Sequence, residues 1–334
     1  MIPAGLRVAI VPFPALGDLT IYLRLAQAFS AAGACVTYYS DHLSAAASRF
    51  DWLQVTALGQ TGVRALLAEF DLVIWDAGAP LGRDRREDGF VLAEMVDAHA
   101  HLAVVTAKKL PQPLSDCRLP LTIGGREFGP KCATFCQDGK AGLTMVDWVD
   151  RYAAETFGLA VPSTPPGVTG EGSSRAVGRK AVIFPTTPNP RKNYWPQGFR
   201  RIANSLAAAG WDVSFVVMPA EHSRLEGEYP RFPVVTFPDL DQLIAYLQDT
   251  CIVISNDSGG GHLASMMGLH TVTITRKPPN FVWRPGFNGH NTVLSPLLTF
   301  KGWGGHVWRP FVPYWRAQTC AEEALRRLVG CRRA

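Results

Sequence analysis

No apolar run in this 334-residue sequence approaches the ~20 residues that a helix needs to cross a bilayer. The opening, MIPAGLRVAIVPFP, lacks a basic segment followed by an apolar stretch and a cleavage site, so no secretory leader is expected. Around Cys132 and Cys136 no second cysteine pair or neighbouring histidine completes a zinc set. The seven cysteines, at 35, 117, 132, 136, 251, 320 and 331, therefore read as reduced packing residues. No G-x-G-x-x-G follows any apolar run, and ALGQTG at 57–62 has the wrong spacing, which counts against a dinucleotide oxidoreductase. Charge is sparse as well, at 18% of residues and a net +5. That balance suits an anionic ligand or an anionic membrane face without demanding nucleic acid. The expectation is a cytoplasmic protein, with room for peripheral contact at the cytoplasmic face of the inner membrane.

What is present is a repeated rhythm of apolar run, turn and amphipathic stretch. RVAIVPF (7–13), CVTYYS (35–40), DLVIWDA (71–77) and LAVVTA (102–107) read as strands, and LTIYLRLAQAFSAAG (19–33) as a helix closed by Gly33. Their hydrophobicity is continuous rather than alternating, as in parallel strands covered on both faces. A further helix is expected over 143–159. VPSTPPGVTGEGSSRAVGRK (161–180) loses all periodicity and reads as a linker. The rhythm then restarts with AVIFPT (181–186), a helix from Pro196 to about Ala209, WDVSFVVM (211–218), VVTF (234–237), a helix over 240–250, CIVIS (251–255) and TVTIT (271–275). These predict an α/β chain of two Rossmann-like parallel-sheet domains, 1–160 and 181–334, with a terminal helix free to dock on either. Open parallel sheets bind ligands beyond the carboxyl ends of their strands, so both domains should offer loops to a cleft between them.

The stretch CIVISNDSGGGHLASMMG ends a buried strand in Asp257 and Ser258 and then runs through three glycines into a helix. Asp257 or Ser258 is a natural N-cap, and glycines would let backbone amides approach a ligand without a Cβ in the way. Free amides at a helix N-terminus suit phosphate. Asp18, after Gly17 in the first strand-to-helix turn, either starts the helix or aims a carboxylate at a ligand.

D-S-G-G-G-H-L-A-S-M-M-G-L-H-T-V (257–272) resembles the D-[ST]-G-x-x-H-[LI]-A-[AS]-x-x-G-x-P-[TV]-V signature of glycosyltransferase family 9, which contains the ADP-heptose:lipopolysaccharide heptosyltransferases. His270 stands where that family has proline. RVAIVPFPALGDLTIYLRLAQAF, VIFPTTPNPRKNYWPQGFRRIANSL and VVMPAEHSRL resemble further family pieces, in the family's order. The resemblance implies a GT-B architecture with the acceptor on the first domain and the nucleotide sugar on the second, across the cleft. It also implies inversion at the transferred sugar without a bound metal or other cofactor.

Carried over residue by residue, the resemblance makes Asp18 the general base and Lys192 the phosphate-binding cation. Lys192 sits in a turn one residue longer than the family's K-x-W-P, so Arg191 is its rival; a guanidinium can bind phosphate bidentately. Thr186 and Thr187 would donate to phosphate oxygens, Ser258, Gly259 and Gly260 to the diphosphate, and Asp257 would hold sugar hydroxyls. Glu221 would accept from a ribose, and His262 would either reach the phosphates or pack beneath the loop. Met218 reads as core or as adenine pocket. Arg276, Lys277 and Arg284 are further candidates for phosphate. Gly17, Lys108 and Lys109 would meet an anionic glycolipid acceptor. Two other readings stay open: a different nucleotide sugar or acceptor (capsule, glycolipid or protein), and a non-catalytic nucleotide-sugar-binding protein.

Overall fold

The computed structural model describes residues 2–80, 85–169, 178–302 and 305–331, and only the backbone at 85–89, 330 and 331. The chain divides into two compact units, 1–169 and 170–334.

The first unit is built on β1 (Arg7–Val11), α1 (Leu16–Ala31), β2 (Cys35–Tyr39), the short α2 (Asp41–Ser44), β3 (Gln54–Thr56), α3 (Val63–Glu69), β4 (Leu72–Asp76), α4 (Arg85–Ala98) and β5 (Leu102–Thr106). A hairpin of β6 (Pro120–Ile123) and β7 (Arg126–Pro130), then β8 (Cys132–Thr134) and α5 (Met145–Phe157), complete it. The sheet order is β3-β2-β1-β4-β5-β8, every pair parallel. β4 and β5 are buried at every position, which is why LVIWD and LAVVT are apolar without alternation. α5 starts on a capping box between Thr144 and Asp147 and ends at Gly158 with φ +68°, a left-handed stop that glycine adopts without Cβ strain.

The second unit repeats the plan. It runs β9 (Lys180–Phe184), α6 (Pro196–Ala208), β10 (Asp212–Val216), α7 (His222–Glu228), β11 (Val234–Val235), α8 (Leu240–Gln248), β12 (Ile252–Asn256), α9 (Gly259–Met266), β13 (His270–Ile274) and β14 (Asn291–Leu294). A ribbon of β15 (Phe300–Gly302) and β16 (Gly305–Val307) precedes α10 (Arg316–Cys331). Its order, β11-β10-β9-β12-β13-β14, is again parallel throughout. The terminal helix, which the sequence left free to dock on either domain, packs on α6, β12 and β13 through Ala317, Cys320, Ala321 and Ala324. Phe215 and Tyr229 stack in the same core, with centroids 3.9 Å apart.

Part of the expected linker is not free chain. Buried Arg24 pairs with Asp150 of α5 at 2.7 Å and also donates to the Pro162 and Thr164 carbonyls, while Gln27 donates to that of Pro165. A proline-rich strand of chain offers mostly acceptors, and a guanidinium supplies donors enough to hold it on the first unit. Residues 170–177 of that stretch lie outside the described residues. Cys132 is buried, and burial, with the Cys117 thiol beside it, pushes its own thiol well up.

Candidate active site

In each sheet the order reverses between its first and fourth strands, at β1/β4 and at β9/β12. Ligands of doubly wound sheets bind beyond the carboxyl ends of the strands at such a switch point. Both of the acids singled out in the sequence sit there.

At the first switch point Asp18 lies in the opening turn of α1, buried, its carboxylate hydrogen-bonded by its own backbone amide. Burial pushes its pKa up to about 6; Lys108 pulls it down and Asp76 pushes it up again. Asp76 ends β4, and sequence reasoning did not select it. Its carboxylate accepts from Tyr22 Oη at 2.5 Å and from the Gly78 amide at 2.7 Å. Tyr22 is one helical turn beyond Asp18, and burial beside Asp76 holds its phenol protonated. Lys108 follows β5, with Nζ 4.3 Å from the centre of the Phe13 ring in the β1–α1 turn. The structure therefore brings Asp18, Asp76 and Lys108 together. Lys109 is exposed beside Lys108, and the Gly17 carbonyl accepts from Thr20.

At the second switch point Asp257 is buried at the end of β12, and its Oδ2 accepts from two lysines. Lys192 Nζ is 3.3 Å away and Lys277 Nζ 2.8 Å. Lys192, rather than Arg191, is the residue that reaches the acid. Arg191 is exposed, and its carbonyl accepts from Arg309 at 3.4 Å. The turn carrying Lys192 is fixed from beneath by fully buried Asn256, whose amide donates to the Pro185 carbonyl and accepts from the Tyr194 amide, both at 2.7 Å. Asn193 Oδ1 takes the amide and hydroxyl of Thr187, so that residue's polar groups are engaged in holding the turn. Neither asparagine was selected from the sequence. Thr186 donates to Glu221 Oε2 at 2.7 Å, which brings together two residues assigned to separate parts of the donor. Met218 is 66% exposed, so its core reading is wrong.

Ser258 occupies the N-cap position of α9 in extended backbone without capping, and its buried hydroxyl has no hydrogen-bond partner. An orphan buried hydroxyl beside open helix amides is the arrangement an anion completes. His262 packs beneath the loop. It is buried, hydrogen-bonded to the Trp283 backbone, and kept neutral by burial, which lowers its pKa to about 4.

Two of the three glycines have a reason other than ligand approach. A Cβ on Gly260 would lie 2.8–2.9 Å from the Phe184 ring, and one on Gly261 would lie 2.6 Å from Ser255 Oγ. Both residues are bare because α9 is pressed onto β9 and β12. Gly260→Ala is accordingly expected to cost about 1–3 kcal/mol of stability through overpacking. Denaturant unfolding checks this, and a variant as stable as the parent would remove the packing explanation.

The model of glycosyltransferase family 9 (heptosyltransferase) matches residues 149–296, which take in most of α5 and both loops of the second switch point. The chain carries a glycosyltransferase family 9 region. Three solved structures extend the likeness over nearly the full length. A family 9 glycosyltransferase from Veillonella parvula is 15% identical at TM-score 0.65, covering 97% of this chain and 98% of its own. The E. coli heptosyltransferase WaaC with ADP is 17% identical at TM-score 0.62, covering 95% and 99%. E. coli ADP-heptose lps heptosyltransferase II is 14% identical at TM-score 0.67, covering 96% and 99%. At such identities the likeness establishes the shared architecture, the two-domain α/β GT-B fold expected from the family 9 signature. No curated protein sequence matches the chain. Among the described residues no helix is long and apolar enough to cross a membrane.

Proposed function

We propose that this family 9 chain is an inverting glycosyltransferase that moves a heptose from ADP-heptose to a lipopolysaccharide core-type acceptor without a metal. The observation that carries this reading is the pair of lysines converging on Asp257 at the mouth of an uncapped helix. One carboxylate cannot neutralise two ammonium groups, so the site keeps a positive charge for an anionic group. A diphosphate fits that surplus, with the Ser258 hydroxyl and the first amides of α9 as further donors. Glu221 and Thr186 then flank the ribose, and Asp257 holds hydroxyls of the sugar.

Transfer needs a base for the acceptor hydroxyl and charge stabilisation for the departing group. In this proposal Asp18 takes the hydroxyl proton, and the freed oxygen bonds to the anomeric carbon from the face opposite the diphosphate. The bond from that carbon to the phosphate oxygen breaks, and ADP leaves with its new charge on Lys192 and Lys277. Lys108 and Lys109 meet anionic groups of the acceptor beside Gly17. A carboxylate with pKa near 6 is a better base than an ordinary exposed one and is still ionised at neutral pH. A second reading keeps the chemistry and changes the donor. Its support is that the lysine pair and Ser258 would recognise the diphosphate, which nucleotide diphosphate sugars of every base share.

Heat denaturation with a panel of nucleotide sugars tests both readings. A ligand that binds only the folded chain adds about 2.7 kcal/mol of stability at a hundred times its Kd. ADP-heptose is expected to raise the midpoint, and UDP- and GDP-sugars to leave it unchanged. A rise with another donor alone selects the second reading, and no rise with any donor removes both.

A further inference from the structure

We infer that Arg309 is a positioning residue for the diphosphate site: one edge of its guanidinium clamps the turn on either side of Lys192 and so aims that lysine. The inference rests on the proposed role of Lys192. It adds to that role a residue beyond the family 9 region, which ends at 296.

A lysine on a short turn is a poor ligand until its backbone is fixed. Lys192 closes a single turn, Pro190–Lys192, and its long side chain is half-exposed, so little packing directs it. Its direction is set by the peptide groups around it. The Lys192 amide donates to the Asn189 carbonyl at 2.9 Å, and the Asn193 amide to that of Pro190 at 3.2 Å. Arg309 takes the two carbonyls that flank Lys192. Its Nε donates to the Asn193 carbonyl at 2.7 Å and its Nη2 to the Arg191 carbonyl at 3.4 Å. Asn256 already accepts from the Tyr194 amide, the other end of the Asn193 peptide group. The peptide groups on both sides of Lys192 are therefore held at carbonyl and amide alike, which fixes its Cα–Cβ bond. Nε and Nη2 share one edge of the guanidinium and donate side by side, a fork that an ammonium does not offer.

Arg309 is itself anchored. It follows Trp308, which is buried in the core of the second unit with its ring 6.1 Å from that of Tyr194. It opens the turn Arg309–Phe311, and the Phe311 carbonyl accepts from the Leu297 amide at 2.9 Å. The guanidinium lies 5.2 Å from the Trp308 ring. No carboxylate among the described residues pairs with it, so its half-buried head has the two carbonyls as its hydrogen-bond partners.

Titration calorimetry of the full chain with ADP and with adenosine, across a double-mutant cycle of Arg309→Met and Lys192→Met, tests the inference. Arg309→Met is expected to weaken ADP binding by about tenfold, as far as Lys192→Met does, and to leave adenosine binding unchanged. In the Lys192→Met background the same substitution should cost less than about twofold, because the lysine it served is gone. Arg309→Lys keeps the charge without the fork, and should bind ADP nearly as weakly as Arg309→Met.

ADP binding that falls in Lys192→Met but stays at the parent level in Arg309→Met would overturn the proposal and leave the reading of the site standing. Parent-level binding in both variants would remove that reading and the proposal with it. An undiminished effect of Arg309→Met in the Lys192→Met background would mean that the guanidinium meets the phosphate itself. Parent-like binding by Arg309→Lys would mean that its charge alone acts. Either result overturns the positioning role, and so does a joint fall in adenosine and ADP binding, which would mark Arg309 as structural. Should Arg309→Met fail to fold, Arg309→Lys is carried through the same cycle and decides.

Discussion

Asp18→Asn should lower transfer by about 10²–10⁴-fold, the range for removing a positioned general base, while ADP binding stays at the parent level. Asparagine keeps the size and most hydrogen bonding of the carboxylate and removes its basicity alone. The pH profile adds a second signature. A base works in its ionised form, so with a pKa of about 6 the parent's kcat/KM should rise through pH 6 and level off above it. The residual activity of the variant should lack that limb.

Stability should move the opposite way. Burial raises the Asp18 pKa from 3.8 to about 6, so the folded chain binds the proton more tightly than the unfolded chain does. The stabilising contribution of the protonated carboxyl is complete below pH 3.8 and is lost as pH rises through 6. At neutral pH the buried charge then costs up to about 3 kcal/mol. Asp18→Asn, which carries no charge, should be more stable than the parent at pH 7, with the difference closing toward pH 4. A variant that loses activity and stability together would show that Asp18 is structural. One that keeps full activity would remove it from the chemistry.

What could be read from the sequence follows from burial. β1, β4, β5, β9 and β12 lie inside their sheets, covered on both faces, and announce themselves as apolar runs, while interior β13 shows itself by the alternating β-branched TVTI of its sequence. β3, β8 and β14 sit at sheet ends, half-exposed, and QVT, CAT and NTVL carry too few apolar positions to stand out. The site divides in a similar way. Asp18 was legible because an acid after Gly17 opens the first helix in a stretch that resembles the family's, and Asp257 because a strand ending in an acid before a helix is a local pattern. DLVIWDA shows the same ending, and that signal would have found Asp76. Asn256 could not be found so, because its work is to hold Tyr194 and Pro185, which are close only after folding. The glycines carry a second constraint that is hidden for the same reason: what excludes a Cβ at 260 is the Phe184 ring of a distant strand.

Lys192→Met and Lys277→Met should each weaken ADP binding by about tenfold to a hundredfold, the range for one hydrogen bond to a charged group. The lower end is the expected one, because both ammonium groups are partly exposed and solvent screens them. Asp257→Asn should act in the other direction on free ADP. The Asp257 carboxylate accepts from both lysines, and a diphosphate must compete with it for them. Removing that charge leaves two unpaired cations, so ADP should bind tighter. Transfer should nevertheless fall, because the sugar loses the acceptor that holds its hydroxyls. Adenosine carries no phosphate, and its affinity should not change in any of the three variants. Titration calorimetry with ADP and adenosine reads all of these outcomes. Lys277→Met binding ADP as the parent does would remove that lysine from the diphosphate site. Weaker ADP binding by Asp257→Asn would mean that the acid organises the lysines instead of competing for them, and the surplus-charge argument would fail with it.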